Sequence, residues 1–189
     1  MLPSCKSKKL CNQIKNKKMK RILLLILISS LISIKMDAQN LKGKNWTARK
    51  ADSVYIVSIA DKSSIVDALN DFVISQKIPA GQITGIGATN EATLRFFDPS
   101  TKKYVDKTFR EQMEISSIAG NISVADEKPL LHLHITLGKS DYTALAGHLL
   151  DAKIRGAGEF FIYPVNSQVI KVKNDEVGLN FYDFEKSQP

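Results

Sequence analysis

Ser53-Val54-Tyr55-Ile56-Val57-Ser58-Ile59, followed closely by Ser64-Ile65-Val66-Asp67-Ala68-Leu69-Asn70-Asp71-Phe72-Val73, decides the architecture. The first run is dominated by β-branched and aromatic residues and reads as a strand. The second reads as a helix. Ser63 or Ser64 can cap it, and Asp67 is placed favourably in its first turn. Ile65, Leu69, Phe72, Val73 and Gln76 follow helical spacing, while Asp67, Asn70 and Asp71 fall elsewhere on its surface. Pro79 helps to end it. This is the one clear amphipathic helix in the chain. Beyond it strands dominate: residues 82–88, 92–97, 107–118, 130–137, 159–165 and 168–172, with Asp98-Pro99-Ser100-Thr101 as a turn. Between them, a second short helix beginning near Asp141-Tyr142-Thr143-Ala144 and a strand over Leu145–Ile154 satisfy the pattern equally. One early helix followed by many strands predicts an α+β domain, the helix packed on a mostly antiparallel sheet.

Upstream of this domain the composition changes. Residues 6–21 are rich in Lys and Arg, and Ile22–Ile34 is a 13-residue apolar run. A basic segment followed by an apolar stretch of this length reads as a signal peptide, residues 1–38, with cleavage near Ala38. Met36 fits the small-residue rule poorly at such a site. Met19-Lys20-Arg21 reads as the true start, so residues 1–18 read as an over-long gene start. The run is shorter than the ~20 residues of a comfortable membrane span, and an uncleaved anchor is the alternative. The expectation is an exported protein of a bacterial periplasm, with no stable membrane insertion after processing. Residues 39–51 read as a loose polar lead-in and residues 52–184 as a single domain.

The leader also carries the charge. It holds nine of the 27 Lys/Arg and one of the 19 Asp/Glu, so the net +8 of the whole chain falls to zero beyond residue 38. Without a basic excess, the electrostatic basis for nucleic-acid binding is missing. Cys5 and Cys11, the only cysteines, also lie in the leader. The mature domain therefore has no thiol to act as ligand, nucleophile or lipid attachment point.

What remains chemically distinctive is histidine. The chain has three, His132, His134 and His148. Side chains alternate along a strand, so a His-x-His pair puts two imidazoles on one face. A third nearby can close a triangle around one metal ion, with a fourth position open to water or ligand. The ordinary alternative is three hydrogen-bonded histidines with no common role. Glu114, in the apolar run Met113-Glu114-Ile115, is either a solvent-facing strand residue or an acid with a perturbed environment. Glu159 raises the same question and reads as exposed at a strand end. Gly85-Ile86-Gly87 lacks the third glycine and the following helix of a phosphate loop, and reads as a bulge or close-packing site. Phe160, Phe161 and Tyr163, with Phe96 and Phe97, read as core or interface rather than a base-stacking platform.

The order of motifs resembles a known family. Residues 80–88 (Ala80-Gly81-Gln82-Ile83-Thr84-Gly85-Ile86-Gly87-Ala88), 113–122, 129–138 and Ala146-Gly147-His148 are similar to the PPC, or plants and prokaryotes conserved, domain. The resemblance spans about residues 50–182. It implies an α+β fold, an antiparallel sheet with flanking helices, assembling as a homotrimer. It also implies a three-histidine site for a divalent metal, zinc foremost, with His132, His134 and His148 as ligands. Ala146 departs from the family's usual Gly-Gly-His. The DNA binding of plant relatives rests on an Arg-Gly-Arg-Pro core that this sequence lacks.

Three readings follow as expectations. The leading one is an exported metal-binding domain taking a small ligand at or near the three histidines. The alternative is a metal-dependent enzyme using metal-bound water, with Glu114 as general base. DNA binding is the third reading, and the neutral mature domain argues against it.

Overall fold

In the computed structural model the described residues are Met19 and residues 40–188. The readings of residues 1–38, including the leader, its cleavage, Cys5 and Cys11, lie outside them. The helix forms where its pattern placed it, as α1, Ile65–Ser75. The Ser64 hydroxyl accepts a hydrogen bond from the Asp67 backbone N–H at 3.0 Å, satisfying one of the free donors at the helix start. Ile65, Ala68, Leu69, Phe72 and Val73 form its buried face.

The remainder is sheet. The strands are β1 (Asn40–Lys42), β2 (Trp46–Ala51), β3 (Val54–Ile59), β4 (Ala80–Asp98) and β5 (Lys103–Phe109), then β6 (Met113–Ala125), β7 (Lys128–Gly138) and β8 (Ala144–Val165), and finally β9 (Gln168–Asn174) and β10 (Leu179–Gln188). With ten strands and a single described helix of any length, the fold is largely β. The α+β expectation with flanking helices is corrected. The segment open to a second helix, residues 145–154, lies inside the 22-residue β8. Its first residues, to His148, pair with β7 and those from His148 onward with β4, so sheet pairing overrides any local helical tendency.

Other bounds shift for similar reasons. The segments read as separate strands at 82–88 and 92–97 are one continuous β4, bent where its pairing with β6 slips between Gly85 and Gly87. The segment read as one strand at 107–118 is broken after Phe109, and β6 starts at Met113. The lead-in, residues 39–51, contains β1 and β2. Trp46 anchors them: it is 4% exposed, packs edge-on to Phe72 with ring centroids 4.9 Å apart, and donates Nε1–H to Asp71 at 2.7 Å.

The central strands close on themselves. β8 pairs with β4, β4 with β6, β6 with β7 and β7 with β8, all antiparallel. The inner faces of this ring, with α1, bury Ile83, Ile118, Leu133, Ile135, Ile154, Phe160 and Ile162. Burial of each such side chain contributes about 1.5–3 kcal/mol. The β9–β10 hairpin joins the edge of β6 through a parallel contact at Val124 and Ile170. Among the described residues no helix is long and apolar enough to cross a membrane.

Candidate metal centre

β7 and β8 form a hairpin. Its turn is closed by a hydrogen bond from the Lys139 N–H to the Thr143 carbonyl, and the Asp141 carboxylate accepts from the Thr143 N–H and hydroxyl at 2.9 and 2.6 Å. That turn sets the register, and the register puts His134 directly opposite His148. His132 lies two residues before His134, on the same face, because Leu133 between them is buried in the core. The three rings converge. Their centroids are 5.2 Å apart for His132–His134, 5.0 Å for His132–His148 and 5.4 Å for His134–His148. One nitrogen from each ring lies within 4.8 Å of the others.

The surroundings favour the neutral form of two of these rings, His132 and His148. His132 is lowered to about 4, first by burial, then by the charge of Lys171 and by the other two imidazoles. His148 is also lowered, by burial, His134 and Arg95, with Asp106 opposing. Neutral imidazoles carry the lone pairs a metal needs. No carboxylate or thiolate joins the cluster among the described residues.

Two cationic side chains stand beside it that sequence reasoning missed. Arg95 of β4 is the register partner of His148. It is held by a bidentate pair to Asp106 at 2.7 and 2.8 Å, with its guanidinium 4.6 Å from the centre of the Tyr104 ring. Lys171 of β9 donates to Asn121 Oδ1 at 2.9 Å, and Asn121 is the register partner of His132. No local pattern pointed to either. Both reach the histidines only through the pairing of distant strands.

Glu114 is placed elsewhere. It is exposed on β6 opposite Gly138, five residues along the strand from Ala119, the partner of His134. At about 3.3 Å per residue that is roughly 16 Å. Glu159 is exposed within β8, not at its end. Gly85 packs against the Phe160 ring where a Cβ would collide, so the glycine pair marks a bulge and a close approach. Phe160 is fully buried, whereas Phe161 and Tyr163 are exposed on the opposite face of β8.

Residues 47–166 match the domain family described as Plants and Prokaryotes Conserved (PCC). Among solved structures, a Bacteroides thetaiotaomicron protein provisionally described as DNA-binding is 53% identical, with a TM-score of 0.75 over 76% of this chain and 100% of that one. A metal-containing protein from Archaeoglobus fulgidus is 28% identical, with a TM-score of 0.66 over 76% of this chain and 99% of that one. A plant- and prokaryote-conserved protein from Pyrococcus horikoshii, 20% identical with a TM-score of 0.64 over 76% of this chain and 97% of that one, shares the fold. No curated protein matches the chain.

Proposed function

From the chain's membership of the Plants and Prokaryotes Conserved domain family and its three convergent imidazoles, we propose that it binds one divalent metal, zinc, through His132, His134 and His148. The carrying observation is the convergence itself: three nitrogen donors within 4.8 Å of one another, on a hairpin whose register fixes two of them. The donor set fits the ion. Tetrahedral zinc–nitrogen bonds of 2.0–2.1 Å place neighbouring nitrogens about 3.3 Å apart. Side-chain rotation on the order of 1 Å closes the difference. Imidazole donors suit zinc, as they also suit copper, iron and nickel. The metal-containing relative from Archaeoglobus fulgidus adds support at 28% identity.

Three protein ligands leave a coordination position for a small ligand, at which a bound zinc supplies a Lewis acid. The protein's part is to hold neutral nitrogens in place on rigid strands and to shape the charge around them. A binding role is favoured over hydrolysis because the acid nominated as general base, Glu114, stands away from the imidazoles. DNA binding, the provisional description of the Bacteroides relative, finds no basic excess in residues 39–189 to support it. The homotrimer and export to the periplasm complete the reading. The trimer rests on the family likeness and on exposed apolar residues of the sheet, Ile56, Ile86, Phe161 and Tyr163. Export rests on the basic and apolar segments before residue 38.

Elemental analysis of purified residues 39–189 tests the metal. One zinc per chain is expected. Purified protein that holds no divalent metal, and takes none up on addition, would end this reading.

A further inference from the structure

The hairpin β9–β10 begins beyond the residues matched to the family, 47–166, and brings a lysine to the histidines. Lys171 is 6% exposed. A buried ammonium is costly unless an opposite charge pairs with it. Lys171 has no such pair among the described residues, where the ion pairs involve other side chains. Its contacts are the neutral Asn121 Oδ1 at 2.9 Å and the face of the Tyr182 ring, 4.7 Å from the ring centre. An ammonium has three donors, and the Asn121 contact uses one. Arg95, the other cation beside the cluster, differs: Asp106 already neutralises it through two hydrogen bonds.

The metal ligands add to this imbalance. Three neutral imidazoles cancel none of the charge of a divalent ion, and no carboxylate shares the cluster. A loaded site beside Lys171 therefore carries concentrated positive charge with an open coordination position. That is the electrostatic complement of an anion.

We infer that Lys171, oriented by Asn121, receives the oxyanion group of a small ligand, a carboxylate or a phosphate, whose oxygen also occupies the metal's open position. This deepens the metal-binding reading and rests on it. Lys171 acts as a binding residue for the ligand and is not a metal ligand. Asn121, the register partner of His132, holds the ammonium, and the Tyr182 ring packs against it.

The test is calorimetric titration of zinc-loaded residues 39–189 with inorganic phosphate and, separately, with acetate. Metal content is measured on every sample. Saturable binding of at least one anion is expected in the loaded protein and its loss in the metal-stripped protein. The preferred anion tells phosphate from carboxylate ligands. Lys171→Met should keep one zinc per chain and weaken anion binding about tenfold or more, the usual scale for a lost charge-assisted hydrogen bond. Lys171→Arg should keep most of the affinity. The anion should also raise the thermal midpoint of the loaded unmodified protein, a readout that needs no variant to fold. If zinc is present but neither anion saturates by about 10 mM, or Lys171→Met binds the anion as tightly as the parent, the inference fails while the metal reading stands. If zinc itself is absent, both fail.

Discussion

His132 and His134 share a face because Leu133 turns the other way into the core, fully buried. That much is a local consequence of strand geometry, and it was legible from three consecutive residues. The meeting with His148 needs the Asp141–Thr143 turn, whose side-chain hydrogen bonds are local but whose sequence was equally compatible with a helix start. Lys171 had no local signature at all. Removing one imidazole should abolish stoichiometric metal, since two remaining nitrogens hold zinc poorly. His132→Ala and His148→Ala are each expected to fall from one zinc per chain to near none by elemental analysis. Circular dichroism should be unchanged. The pH dependence follows from the lowered histidines. His132 titrates at about 4 in the folded protein and near 6.5 when unfolded, and His148 shifts in the same direction. Between those values the unfolded chain binds more protons, so stability rises with pH in that window. The metal-free protein should therefore lose stability as pH falls from about 6.5 towards 4. Urea midpoints at stepped pH measure this, and a flat profile across the window counts against it.

At the scale of elements, α1 was legible almost to the residue, because its apolar spacing, its Ser64 cap and its terminating proline agree. Strands were legible as places but not as lengths. Nothing local says that residues 82–97 form one bent strand or that residues 110–112 interrupt another. Those bounds are set by which partner supplies the hydrogen bonds. The pairing of β6 with β7 shows how closely such partners approach. A Cβ on Gly120 would collide with the His132 carbonyl oxygen and with the Leu133 side chain. Strand β7 can lie so close, with His132 in register with Asn121, only because this position has no side chain. Gly120→Ala should cost about 1–3 kcal/mol by overpacking. It should also weaken zinc binding, because the backbone that must yield carries His132. Denaturant unfolding checks the first part and a metal titration the second. Phe72→Ala empties the contact between α1 and the Trp46 and Tyr55 rings, and should cost about 3–5 kcal/mol while leaving the histidine register intact.

For the molecule as a whole, closure of β4, β6, β7 and β8 into a ring was beyond sequence reading, because it depends on pairings between strands far apart in the chain. The apolar surface outside that ring was partly legible: the aromatic run in β8 was read as core or interface, and the structure divides it by face. Phe160 fills the core. Phe161 and Tyr163 stand outside with rings 6.5 Å apart, and Ile56 is the register partner of Phe161 across β3. Exposed apolar side chains gathered on one sheet face mark an association surface. A homotrimer is the assembly we propose for this surface. Sedimentation equilibrium of residues 39–189 should give three times the chain mass. Phe161→Glu should shift the equilibrium to monomer, because a carboxylate buried in an interface without a partner is strongly unfavourable. All three histidines lie on the β7–β8 hairpin of a single chain, so the monomeric variant should still bind one zinc per chain. Metal lost together with assembly would show instead that the site is completed between subunits, and a monomer mass for the unmodified protein would remove the trimer from the reading.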